Sequence, residues 1–269
     1  MKKLATALVS AAAIMTMSTT AFAAENPAEV FDRVMEKNNT IQSAEIQSGV
    51  HSVILAKDVI PDGQMKVDMA MHAEMDMQDT TDLKYLAQVA SSILGQDSYS
   101  QVFYTDGYYY VDANGVKLKY PMPLEQIISS VQTGVNTSNM ESSYMKGISL
   151  NEVNGKRVLA YEANPKKLNK NVKEALGTVM NTLGTDVNLD MNIQEMKGAY
   201  VLDDNDYIIY MTNYIVYNME VLDQPMTCIT LMETEVQTPG EPVVVTLPST
   251  DGYEDLIGLY DGVIESEVE

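Results

Sequence analysis

The strongest pattern in the chain lies between Met65 and Met77. Every odd position there is apolar (Met65, Val67, Met69, Met71, Ala73, Met75, Met77), and the even positions read Lys66, Asp68, Ala70, His72, Glu74 and Asp76. A period of two predicts a β-strand with one dry face and one wet face. At ~3.3 Å per residue it runs roughly 40 Å, a length that belongs in a wide, curved sheet. Upstream, Asn26-Pro27-Ala28-Glu29 has the chemistry of a helix start, with Asn as the cap, Pro at the first helical position and Glu29 placed to reach back. Val30, Phe31, Val34 and Met35 then form one apolar stripe, which predicts a short amphipathic helix from Pro27 to Lys37. Ser43 to Ala56 is rich in β-branched residues and predicts a strand, followed by a turn at Pro61-Asp62-Gly63.

Beyond the methionine strand, Thr81 is placed to cap a helix through Leu83, Leu86, Val89, Ile93 and Leu94, with Gly95 as its stop. Strand character returns from Ser98 to Tyr104, turns at Asp106-Gly107, and continues through Tyr108, Tyr109, Tyr110 and Val111 to Asn114-Gly115. Pro123 opens a further predicted helix, with Leu124, Ile127, Ile128 and Val131 inward and Gly134 at its end. Asn154-Gly155 joins Tyr144–Asn151 to Lys156–Tyr161 as a two-residue hairpin. Asn164-Pro165 begins the longest predicted helix, with Leu168, Val172, Leu176, Val179 and Met180 on one side and Gly184 closing it. Met191–Leu202, Tyr207–Val221, Met226–Val236 and Val243–Leu247 all read as antiparallel strands, the first two joined by an acidic turn at Asp203-Asp204-Asn205-Asp206. The class is therefore α+β with an antiparallel sheet. No linker rich in Gly, Ser or Pro divides it, so residues 24–269 are read as a single domain.

The start of the chain stands apart. Met1-Lys2-Lys3, an apolar run from Leu4 to Met17, and Ala21-Phe22-Ala23 have the three regions of a secretory signal peptide, so residues 1–23 are expected to be cleaved after Ala23. Of the 269 residues 45% are hydrophobic, enough to bury a real core. The formal net charge of −21 opposes approach to nucleic acid and to anionic membrane surfaces. The one cysteine, Cys228, allows no intramolecular disulfide and provides no lipobox thiol at the cleavage site. After Met17 no apolar stretch is long enough to form a transmembrane anchor. Leu247-Pro248-Ser249-Thr250-Asp251 has Asp where a sortase signal needs Gly, and reads instead as a strand end and turn. The expected location is secreted, extracellular.

Chemistry-bearing groups are sparse. There are two histidines, His51 and His72, with no glycine-flanked nucleophilic serine and no phosphate-cradling glycine loop. Asp and Glu are too abundant for any pair to stand out, so the chain reads as no enzyme, with no cofactor. The thioethers on the dry face of Met65–Met77 would suit Cu(I), giving a Met-rich copper-binding alternative. His72 lies on the opposite face of that strand, however, and a core-facing strand explains the same spacing, so no metal ligands are assigned. Asp203-Asp204-Asn205-Asp206 lacks the Gly and the later Glu of a calcium loop. Lys156, Arg157, Lys166, Lys167, Lys170 and Lys173 form a local basic cluster, which suits either an anionic headgroup or a solvated helix face. Nineteen methionines against three phenylalanines make for a soft interior, which fits an adaptable ligand cavity and a packed core alike.

The opening amphipathic helix, the long alternating strand, the Tyr104-Thr105-Asp106-Gly107-Tyr108-Tyr109-Tyr110 hairpin and the closing tyrosine-rich meander together resemble the LolA-like superfamily. That group contains periplasmic lipoprotein carriers, the LppX and LprG type lipid-binding proteins, and secreted Gram-positive proteins of no assigned role. The resemblance implies a strongly curved antiparallel sheet, an incomplete barrel, with helices covering the concave face over an apolar cavity. The missing lipobox cysteine departs from the lipidated members. On this reading the chain is a non-catalytic binding protein for a lipid or other hydrophobic small molecule, in transient contact with a membrane or carrier protein and not with nucleic acid. The cavity lining expected is Met69, Met71, Met75 and Met77, with Leu86, Ile93, Ile127 and Val131 from helical lids. A surface interaction module with a packed core, presenting strand edges and Tyr108, Tyr109 and Tyr110 to a partner, is the alternative from a different class.

Overall fold

A computed structural model describes residues 25–56, 60, 62–79, 83–124, 126, 140–170, 191–221 and 224–256. The expected signal peptide, most of the helix expected after Pro123 and most of the one expected after Asn164 lie outside them. The elements are α1 (Pro27–Asn38), β1 (Ser43–Leu55), β2 (Gln64–Asp76), β3 (Lys84–Ile93), β4 (Gln96–Thr105), β5 (Tyr108–Ala113), β6 (Val116–Pro121), β7 (Met145–Val153), β8 (Lys156–Ala163), β9 (Asn192–Leu202), β10 (Ile208–Val221), β11 (Gln224–Gln237) and β12 (Glu254–Asp255). Hydrogen bonds link the twelve strands in the order β12-β6-β5-β4-β3-β2-β1-β11-β10-β9-β8-β7, an open sheet. The hairpins are antiparallel, and the short β12 pairs with β6 in parallel. The class is α+β with an open, mostly antiparallel sheet, as the residue pattern predicts.

The chain divides into two compact units, the first drawn from Met1–Asn38, Gly49–Asp68 and Ser138–Glu235, the second from Asn39–Ser48, Met69–Thr137 and Val236–Glu269. In the first, α1 starts as its cap chemistry dictates. The Asn26 side-chain oxygen accepts from the Ala28 N–H at 3.1 Å, and its amide donates to Glu29 at 3.1 Å. Val30, Phe31, Val34 and Met35 are buried against Leu159 and Tyr161 of β8, Tyr200 and Leu202 of β9 and Ile208 of β10. Phe31 meets the Tyr161 ring edge-on at 5.7 Å, and Tyr161 and Tyr200 lie 5.2 Å apart. Gly198 sits in register between Tyr161 and Asn213, and the Tyr161 hydroxyl reaches across it to donate to the Asn213 side-chain oxygen. A Cβ at Gly198 would stand 2.5 Å from both the Asn213 Oδ1 and the Thr212 carbonyl oxygen. Only glycine fits there.

In the second unit the hairpin turns are two-residue loops with left-handed backbone: Asp106-Gly107 (φ 53° and 79°) and Asn114-Gly115 (φ 52° and 88°). The segment expected to be a helix from Thr81 to Leu94 is strand β3, paired to β4 from Tyr85↔Tyr104 to Ile93↔Gln96. Leu94-Gly95 is therefore a third hairpin turn of the same kind (φ 52° and 76°), and Gly95 ends no helix. The helical spacing of Leu83, Leu86, Val89 and Ile93 was coincidental. Leu86 and Ala87, neighbours on opposite faces of β3, are both buried, each in a different apolar cluster, which blurs the alternation that identifies a strand. Leu86 and Ile93 accordingly stand on a strand and not on a helical lid. Val243–Leu247, expected as a strand, joins no ladder. It belongs to an extended strap, with Val245 buried and Val244 89% exposed.

Candidate functional site

On the dry face of β2 burial deepens from Met69 to Met77, while Met65 and Val67 at the start of the strand are half-buried. Met75 and Met77 are 1% and 4% exposed, Met71 is half-buried, and Met69 is 38% exposed. Met75 and Met77 cluster with Ala44 and Ile46 of β1 and with Leu83, Ala87 and Tyr104, and Met71, Tyr85, Val102, Tyr109, Met122 and Leu124 pack against them. His72 lies on the wet face as expected, with its Nε2 3.1 Å from Glu45 and 3.8 Å from Glu74.

A second component of this site was not singled out from the sequence. Strand register sets Tyr85 opposite Tyr104, Tyr104 opposite Tyr109, and Tyr109 opposite Tyr120, forming a row of four tyrosines across β3 to β6. The Tyr109 and Tyr120 rings are 5.5 Å apart, and the Tyr104 hydroxyl donates to the Met122 carbonyl at 3.3 Å. Burial pushes the Tyr85 and Tyr120 hydroxyls above their ordinary range. Tyr109 is pushed further, by burial first and then by Tyr85 and Tyr120 beside it. These groups stay neutral at physiological pH, so the face combines soft thioethers with uncharged hydroxyl tips. Part of the signal was in the chain, because the two-residue turn at Asp106-Gly107 pairs Tyr104 with Tyr109 by itself. Tyr85 was hidden by the helical reading of β3.

The structure thus brings together Met71, Met75 and Met77, with Met69 at their exposed end. It places Leu86 on the opposite face of β3, against Phe103 and Tyr110, and Ile93 beside the Leu94-Gly95 turn, 42% exposed. Ile127 and Val131 lie outside the described residues. Tyr108, Tyr109 and Tyr110 do not act as one patch, since Tyr109 joins the methionine face and its two neighbours pack on the other.

The basic cluster is partly structural. Arg157 pairs with Asp206 and with Glu25 at 3.3 Å, and Arg33 pairs with the same two acids at 2.9 and 3.0 Å. Burial alone would raise the Asp206 carboxyl, but the hydrogen bonds and charges of Arg33 and Arg157 outweigh it and hold it below its ordinary range. Lys167 donates to the Ser143 carbonyl at 2.8 Å, while Lys156, Lys166 and Lys170 are exposed; Lys173 lies outside the described residues. Among the described residues no group of three His, Cys, Asp or Glu side chains converges to hold a metal ion, and no helix is long and apolar enough to cross a membrane.

Among solved structures the chain is similar to LprF from Mycobacterium bovis, at 10% identity and a TM-score of 0.36, over 83% of this chain and 97% of that one. It is also similar to a β-barrel-like protein of the domain of unknown function DUF1849 from Brucella abortus, at 12% identity and a TM-score of 0.24, over 74% and 100% of the two chains. No curated protein matches it in sequence. A family model matches residues 26–239, and on that match the chain belongs to DUF6612, a family of unknown function.

Proposed function

We propose that this protein is an exported, non-catalytic binding protein that holds a lipid or another apolar ligand against the methionine and tyrosine face of β2 to β6. The observation that carries the reading is the exposure gradient of β2. One strand face runs without a break from fully buried sulfur at Met75 and Met77 to open sulfur at Met69. A ligand laid along it would extend an existing apolar core outward. Each methylene so covered contributes ~0.8 kcal/mol, so an acyl chain gains substantially from leaving water. Methionine has the rotamer freedom to follow chains of different shape, and the neutral tyrosine hydroxyls can donate to an ester or headgroup oxygen without introducing charge.

Met69, Met71, Met75 and Met77 form the proposed lining, with Tyr85, Tyr104, Tyr109 and Tyr120 added to it. Ile127 and Val131 stay in it as lid residues. Leu86 leaves it, because it faces the other side of β3, and Ile93 marks its rim. Residues 24–269 are read as one domain made of two compact units, a reading supported by the span of the family match across both units.

Native mass spectrometry of the protein from its own culture medium, followed by organic extraction, tests the proposal. The expected result is a stoichiometric apolar mass that is lost in Met71→Asp. A folded Met71→Asp protein that carries the same mass, or a wild type that stays empty after incubation with mixed membrane lipids, would refute it.

A further inference from the structure

The second face of β3 to β5 carries an independent feature. Leu86, Phe103 and Tyr110 stand in register across three strands, and the Phe103 and Tyr110 rings stack 4.6 Å apart at an interplanar angle of 2°. Residues 241–255 cover this stack as a strap. Val243, Val245 and Leu247 pack on it, and Tyr253 meets Phe103 and Tyr110 edge-on at 5.6 and 5.1 Å. The strap then ends as a strand, with Glu254 and Asp255 pairing in parallel with Leu118 and Lys119 of β6 and with the Lys117 ammonium 5.2 Å from the Tyr253 ring. An extended segment with apolar side chains at alternate positions, then an aromatic and two acids, added to the edge of a sheet, is the geometry by which sheets bind peptides.

The strap is bound like a ligand and tethered under strain. Between Pro242 and Tyr253 it makes no ladder, and its start is held by two hydrogen bonds to Ser43, from the Gly240 N–H to the carbonyl at 2.8 Å and from the Val243 N–H to the hydroxyl at 3.0 Å. To fold back onto its own face the chain turns at Thr238, a β-branched residue held at φ 47°. That region disfavours such side chains. A strap delivered to another molecule can remake every contact from Gly240 onward while the tether at 237–239 extends and Thr238 leaves the left-handed region. Strained short tethers of this kind favour exchange of an element between copies. The aromatic stack lies within the stretch that the family shares, and the strap lies beyond its end at residue 239.

We propose that the Leu86–Phe103–Tyr110 face and the edge of β6 form a binding site for an extended segment, filled in cis by the chain's own residues 241–255 and in trans by the same segment of a second copy. The high acidity of the chain opposes the approach of two copies, so exchange grows with ionic strength.

Two measurements test this on the full chain. In the first, a fluorescent peptide spanning residues 241–256 is titrated into wild type and into Tyr253→Ala, whose own strap is weakened. The expected affinity for the variant is at least tenfold higher, because the tethered strap competes at high effective concentration in the wild type. Equal affinity, no binding, or equal binding of a scrambled peptide overturns the site. In the second, isotopically labelled and unlabelled wild-type protein are incubated together at high concentration in high salt and weighed by native mass spectrometry. Dimers of mixed mass are expected, and they should fall at least tenfold in Thr238→Gly, which accepts the closed turn without strain. A wild type that stays monomeric, or dimers unchanged by Thr238→Gly, overturns the second copy as occupant.

Discussion

Two cores of this protein hold themselves together with different materials. The first closes around Phe31, Tyr161 and Tyr200, rigid rings set by a capped helix and by a glycine that only one geometry allows. The second, on the face of β2, is built from Met75, Met77, Ile46, Leu83, Tyr104 and three alanines, with Met71, Tyr85 and Tyr109 only partly buried against them. Stiff rings define a single packing arrangement, whereas thioethers tolerate several. The aromatic core fixes structure, and the methionine face is the more adaptable of the two.

Substitutions at matched depth probe this contrast. Phe31→Ala, at a fully buried position, should lower stability by about 3–5 kcal/mol in denaturant unfolding, since the rings around it cannot collapse into the space. Gly198→Ala comes next at about 1–3 kcal/mol, because the added methyl meets the Thr212 carbonyl oxygen and the Asn213 side-chain oxygen. Met75→Leu, as deeply buried as Phe31, should cost under about 1.5 kcal/mol; a loss equal to that of Phe31→Ala would show that the methionine face is as rigid as the aromatic one.

A smaller effect tests the charged rim of the first unit. The Asp206 carboxyl has a depressed pKa in the folded state, so its contribution to stability is complete at neutral pH and is lost as pH falls below about 4. Asp206→Asn should therefore be less stable than wild type by about 1–2 kcal/mol at pH 7, and the two should converge in acid. The smallest change is a gain. Leu94 is 70% exposed at φ 52° in a turn that favours asparagine, so Leu94→Asn should raise stability by about 0.5–1 kcal/mol, read as a higher melting temperature.

The contrast also explains what was legible in the sequence. Elements with one wet and one dry face announced themselves, namely α1, β2 and the hairpins turned by Asp-Gly or Asn-Gly. β3 did not, because Leu86 and Ala87 are buried on opposite faces and because Leu94 occupies the place where Asn or Asp would have marked the turn. The strap misled in the opposite direction. Val243, Val245 and Leu247 alternate as a strand does, yet their period reflects docking on an aromatic stack and not a ladder. For the candidate site, period two was enough to gather Met71, Met75 and Met77. The tyrosine row needed the register of three consecutive hairpins, and one of those was hidden.

The burial gradient along β2 has a consequence for oxidative chemistry. A thioether is oxidised to its sulfoxide more readily the more peroxide and water can reach it, and the product is polar where the parent was apolar. Met69 is open to attack, Met71 partly so, and Met75 and Met77 are shielded. Damage in an oxidising medium would therefore start at Met69 and reach Met71 before Met75 and Met77, wetting the face from its most exposed methionine. The order in which sulfoxides accumulate along this strand would serve as a ruler of how far water, or whatever displaces it, reaches down the face.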